Sequence, residues 1–146
     1  MVLLDVNILV YAYREDSPRH GDVRPWLDEV INGNAAFGVS ELVLSGFLRI
    51  VTHPRVFDPP TPIAQAIEFV RALREQPHCL IVKPGDRHWD IFLELCLDVH
   101  AKGNVVPDAY LAALAIESGS EWVTTDRDFA RFAGLTWRYP VAPAPV

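Results

Sequence analysis

Four acidic residues spread along the chain, Asp5, Glu41, Asp108 and Asp126, are the side chains whose type and placement could do chemistry. Asp5 ends the apolar run that begins at Val2, and Glu41 comes just after the run Ala35–Val39. Asp108 follows Pro107, and Asp126 follows Trp122-Val123-Thr124, with Asp128 two residues on. Taken singly, an acid in the first turn of a helix is stabilised by the free N–H groups there, which accounts for Glu41 or Asp108 without any function. Four acids meeting in one place are different, because packed like charges cost stability unless a cation offsets them. With oxygen ligands and no histidine among them, that cation should be hard, Mg²⁺ or Mn²⁺. Such an ion bridges phosphate oxygens, activates water and stabilises a leaving oxygen, so phosphodiester hydrolysis is the natural chemistry.

For these acids to meet, the elements around them must bring distant segments together. The pattern predicts strands at Leu3–Asp5, Ala35–Val39, Cys79–Val82 and Trp122–Thr124, with a possible fifth at Leu135–Tyr139. Between them the apolar spacing predicts helices from near Asn7, from Ser17-Pro18 to about Ile31, from Ser40 to His53-Pro54, and from Thr61-Pro62 to about Arg74. Two more run from about Arg87 to His100 and from Pro107 to Glu117, the latter ended by Gly119. A helical turn is expected at Asp128–Phe132. Strands alternating with helices imply an α/β fold with a mainly parallel sheet of four to five strands covered on both faces. In such sheets, sites form outside the carboxyl ends of the strands, where all four acids fall. One domain is expected over residues 1–139, followed by a Pro- and Ala-rich tail, 140–146, expected to be disordered.

Composition narrows the partners. The chain has 146 residues, of which 50% are hydrophobic, enough for one domain with a real core. Net charge is −6, which argues against simple electrostatic binding to nucleic acid but not against a nuclease, since metal-binding acids make the total more negative. No apolar stretch reaches the roughly 20 residues of a membrane span, and the start lacks the basic region of a signal peptide, so the expected compartment is the cytoplasm. Cys79 and Cys96 each lie in an apolar segment and read as reduced, buried thiols.

The motifs resemble a known family. Asp5-Val6-Asn7, Ser40-Glu41, Val106-Pro107-Asp108-Ala109 with Leu111–Ala115, and Thr124-Thr125-Asp126-Arg127-Asp128-Phe129 look like the ordered motifs of PIN domains, closest to VapC-type toxins of bacterial toxin–antitoxin pairs. The resemblance runs from residue 2 to about 139. It implies a PIN-like three-layer α/β/α fold and a metal-dependent endoribonuclease in which Asp5, Glu41, Asp108 and Asp126 hold Mg²⁺ or Mn²⁺. It further implies supporting roles for Asn7, Thr124 and Asp128, a structured RNA substrate such as transfer or ribosomal RNA, a cognate antitoxin and a homodimer. In the family a groove accepts the antitoxin, and apolar surface including Val56 and Phe57 is expected to be shielded only by partner or dimer contacts.

Other features carry less. Asn104 reads better as a loop residue than as a contact to water at the site, and Trp26, Trp89, Trp122 and Trp137 read as core or interface before base-stacking. Arg127, between two acids, either pairs with one of them or faces the substrate. A phosphatase of the haloacid dehalogenase type would need Asp at position 7, where Asn stands. A receiver domain would begin with paired acids, and no glycine-rich nucleotide motif is present. An RNA-processing nuclease without an antitoxin, or a non-catalytic interaction domain on the same fold, are the competing functions.

Overall fold

The computed structural model describes residues 1–141. Short apolar runs form the strands β1 (Val2–Leu4), β2 (Phe37–Val39), β3 (Cys79–Ile81), β4 (Glu121–Val123) and β5 (Trp137–Arg138). They pair in the order β3-β2-β1-β4-β5, every pairing parallel. Leu3, Leu4, Phe37, Val39, Trp122 and Val123 are fully buried, as expected of central parallel strands covered on both faces. The close fit shows at Gly38, where a Cβ would stand 2.8 Å from Val82 Cγ2 and 3.1 Å from Leu3 Cδ1.

The helices are α1 (Val6–Tyr13), α2 (His20–Asn32), α3 (Glu41–Val51), α4 (Ile63–Arg74), α5 (His88–Asp98) and α6 (Val105–Ser118). The chain moves from β1 outward to β2 and β3, then returns past β1 to β4. Right-handed crossovers therefore put α1–α4 on one face of the sheet and α5–α6 on the other. The packing agrees: α1 lies against α2 and α3, α3 against α4, and α5 against α6. The result is the expected three-layer α/β/α architecture. No helix of the described residues is long and apolar enough to cross a membrane.

Two helix starts differ from expectation. Ser17-Pro18 does not open α2, because the Ser17 hydroxyl donates to the carbonyl of Arg14 (2.6 Å) and closes a turn; the helix begins at His20. In α6 the start moves earlier, to Val105, so that Pro107 is its third residue. A proline is tolerated there because the N–H it lacks has no partner within the first turn. Gly119 ends α6 in the left-handed region (φ 66°), which glycine enters without steric cost.

Cys79 and Cys96 are unpaired and half-buried, with both thiols pushed up by burial. Of the tail expected from Pro140, Pro140 itself is buried, and residues 142–146 lie outside the described residues. Trp122 is buried in the core, while Trp89 on α5 is exposed.

Candidate active site

β1 ends at Leu4 and the chain turns at once into α1, leaving Asp5 at the helix start with its Oδ1 accepting the Val6 N–H at 2.6 Å. Its other oxygen, Oδ2, accepts the Thr124 hydroxyl at 2.6 Å and the Asn7 side-chain amide at 3.2 Å. Thr124 follows β4, which pairs with β1, so the strand pairing itself brings residues 5 and 124 together. Asn7 also donates to Thr124 Oγ1 (3.2 Å) and accepts from the Thr125 N–H (3.2 Å), fastening α1 to the β4 end. Thr124 Oγ1 in turn accepts the Asp126 N–H at 3.0 Å. Asp126 caps a 3₁₀ turn, Arg127–Arg131, by accepting the Asp128 N–H at 2.9 Å.

Only 3% of the Asp5 surface is exposed. Desolvation raises its carboxyl from 3.8 to about 6, helped by the charges of Asp108 and Asp126 and opposed by the Thr124 and Val6 hydrogen bonds. Asp108, in the first turn of α6, is also raised, first by desolvation and then by Asp126 and Asp128, with Arg131 acting the other way. Asp5, Asp108 and Asp126 thus share one electrostatic field, with Asp128 at its edge and Arg131 beside it. The Arg131 guanidinium lies 3.7 Å from the Asp128 carboxylate.

Glu41 stands differently. It opens α3, where the Ser40 hydroxyl caps the helix by accepting the Val43 N–H at 3.1 Å, but its carboxylate is exposed and pairs with Arg74 of α4 at 3.2 Å. Sequence reasoning had no signal for this pair, which joins two helices across 33 positions. Asn104 occupies the cap position of α6 without making a side-chain cap. Arg127 makes no ion pair among the described residues.

Among the described residues, no three His, Cys, Asp or Glu side chains stand close enough to enclose one metal ion. A hydrated Mg²⁺ does not require that: it keeps several waters and takes one or two carboxylates, with phosphate oxygens completing its shell. A buried, oriented aspartate facing two further aspartates, all oxygen donors, fits such a hard ion and not a soft one. Chemically, the arrangement offers carboxylate oxygens, the donor type that hard divalent cations take.

A cleft of about 480 Å³ lies next to this site, its lining including Val6 and Asn7 as well as Pro18, Val56 and Phe57. Arg14 stacks over the Phe57 ring at 4.3 Å and bonds to Asp16 and Thr61.

A family model for the PIN domain matches residues 2–135. Ribonuclease VapC43 of Mycobacterium tuberculosis is 45% identical over 141 residues, covering 97% of this chain and 96% of the relative. In structure the chain is similar to VapC20 of Mycobacterium tuberculosis, a sarcin–ricin-loop-cleaving toxin (TM-score 0.65, 16% identity, covering 93% of this chain and 99% of that one). It is also similar to a toxin–antitoxin complex from Klebsiella pneumoniae (TM-score 0.61, 17% identity, covering 97% and 98%). At these identities the structural likenesses speak for the fold alone.

Proposed function

The chain belongs to the PIN-domain family, and we propose that it is a metal-dependent endoribonuclease acting as the toxin of a toxin–antitoxin pair. The observation that carries this reading is that Thr124 links buried Asp5, at the end of β1, to Asp126, after β4, with Asp108 near enough that its charge raises the Asp5 carboxyl. The ribonuclease name of a relative 45% identical over nearly its whole length supports RNA as the substrate. A structured RNA, such as transfer or ribosomal RNA, is the proposed substrate class.

In the mechanism, Asp5, Asp108 and Asp126 would hold Mg²⁺ or Mn²⁺, with Glu41 as the fourth acid once it leaves Arg74. Such a cation would supply charge stabilisation at the scissile phosphate and a lowered pKa for the attacking water. Thr124 and Asn7 fix Asp5 by occupying Oδ2, and the Val6 N–H occupies Oδ1, so the carboxylate is oriented before substrate arrives. Through its hydrogen bond to the Asp126 N–H, Thr124 sets the turn that presents Asp126. Asp128, drawn toward Arg131, lies outside this set as a supporting charge. Water attacks the phosphorus in line, the 3′ oxygen leaves and takes up a proton, and the products carry 5′-phosphate and 3′-hydroxyl ends.

The cleft lined by Val56 and Phe57 is the proposed seat of the antitoxin, and its contact with Asn7 lets an occupant there reach the site. A second copy of the chain is the proposed partner for α5, whose Trp89, Leu93 and Leu97 stand exposed four residues apart. The cytoplasm is the proposed compartment.

The test is cleavage of total RNA by purified, partner-free protein with Mg²⁺ or Mn²⁺, against EDTA and an Asp5→Ala control. Discrete fragments that need metal, vanish in the variant and carry 5′-phosphates are expected. Products with 2′,3′-cyclic phosphate would overturn the mechanism, because they report attack by the RNA's own 2′-hydroxyl. Absence of any cleavage would move the assignment to a non-catalytic interaction domain.

A further inference from the structure

A second, smaller cleft of about 200 Å³ opens at the carboxyl ends of β2 and β3, with Glu41 in its lining. Glu41 and Leu42 of α3, Val82 and Lys83 from the segment after β3, and Tyr110 and Leu114 of α6 line it. Tyr110 lies on α6, the helix that carries Asp108 in its first turn. The walls are mainly apolar, the aromatic residue is Tyr110, and the cation is Lys83, which is exposed and makes no ion pair among the described residues.

Tyr110 is held from behind. Buried His88 sets its Nε2 2.9 Å from the Tyr110 carbonyl, and the Tyr110 ring meets His88 and Phe92 edge-on at centroid distances of 4.3 and 5.4 Å. The ring is therefore fixed without any ligand. The acid in the lining, Glu41, pairs with Arg74 at 3.2 Å. The volume decides the class of occupant. It falls below the roughly 300–1,000 Å³ of sites for drug-sized ligands and far below a groove for a peptide helix, so it suits a single flat ring system. An apolar slot with an aromatic wall takes a nucleobase by stacking, and a lysine at its rim takes the adjoining phosphate as a point charge.

We infer that this cleft is a base-binding subsite, receiving an unpaired nucleotide of the RNA near the scissile phosphate, with Lys83 on its phosphate and Leu42 and Tyr110 against its base. The inference rests on the nuclease reading and adds to it where sequence preference is set. Two exposed positions test it without endangering the fold: Lys83→Gln removes the charge, and Leu42→Trp fills the slot from its rim, Leu42 being 52% exposed.

The probes are a fluorescein-labelled pool of short single-stranded RNAs of random sequence, for binding in an Asp108→Asn background, and total RNA, for sequencing of cut ends with Asp108 intact. Lys83→Gln should weaken binding about 3- to 10-fold and lower the slope of log affinity against log salt by about one. Leu42→Trp should leave that slope alone, weaken binding about tenfold and change the base preferred at one position fixed relative to the cut. Unchanged affinity, slope and preference in both variants would overturn the subsite. So would unchanged RNA affinity with an altered particle mass in light scattering, which would make the cleft a protein contact. If the parent protein neither binds nor cuts RNA, the nuclease reading fails first and the subsite falls with it, an outcome separate from the failure of the variants alone.

Discussion

Thr124 gives its hydroxyl proton to Asp5 across 119 positions of chain, and the same oxygen receives the backbone N–H of Asp126. One hydroxyl thus orients a buried carboxylate and the turn that carries a second. Thr124→Val keeps the shape and removes both bonds together with the one from the Asn7 amide. Because the lost hydrogen bond ends on a carboxylate, the fold should lose about 1.5–3 kcal/mol in denaturant titration. RNA cleavage should fall chiefly through kcat, with KM little changed, and Thr124→Ser should restore most of it. Equal losses in kcat and in RNA affinity would instead give Thr124 a role in substrate binding.

Asp108 sits half-buried among like charges, and its carboxyl is raised by burial and by Asp126. Asp108→Asn removes that repulsion while keeping the residue's size. Cleavage should be abolished, whereas the metal-free variant should melt at the same temperature as the parent or higher. A large drop in Tm would make Asp108 a structural cap of α6 and remove it from the proposed metal site.

The metal-free protein should grow less stable as pH rises from about 4 to about 6. In the fold Asp5 keeps its proton up to about pH 6, but in the unfolded chain only to its ordinary 3.8. Between those values the folded state binds more protons, so stability falls as pH rises, by on the order of 3 kcal/mol in all, and levels off above pH 6. The check is urea titration across that window for the parent and for Asp5→Asn. The difference between the two curves isolates Asp5, and a flat difference would refute its raised carboxyl.

Glu41 and Arg74 offer a separate test of the fourth acid. Both side chains are about half exposed, 56% and 42%, so their ion pair should contribute less than about 1 kcal/mol. Arg74→Ala should therefore barely move Tm, while Glu41→Gln should lower cleavage at least tenfold at unchanged Tm. If Glu41→Gln cuts RNA like the parent, Glu41 belongs to the Arg74 pair alone and not to the site.

Much of this molecule is legible in its residues. Five strands and their alternation with helices follow from apolar runs punctuated by Asp, Gly and Pro, and the carboxylates stand where those runs stop. Asp5, Asp108 and Asp126 could be picked out because each marks a strand end or a helix start. The boundaries that moved did so through side-chain choices that pattern does not encode. Ser17 bonded backward to Arg14 and so did not cap forward, and Pro107 was absorbed into a first turn. The partner of Glu41 was hidden for another reason: Arg74 ends a helix 33 positions away, and only the packing of α3 on α4 brings them together. The base-sized cleft was equally silent, since Leu42, Lys83 and Tyr110 share neither a motif nor a spacing.

The strand order carries a consequence for the making of the protein. β4, which brings Thr124 and Asp126 to the side of Asp5, lies next to the first strand but follows β2 and β3 in the chain. A growing chain on the ribosome therefore has Asp5 early, Asp108 late and Asp126 last of the proposed carboxylates. Prematurely terminated products up to residue 125 lack Asp126 and leave Asp5 without its full setting. On the proposed function, translation itself acts as a safety interval: no competent RNA-cutting centre exists until Asp126 and its turn have been made.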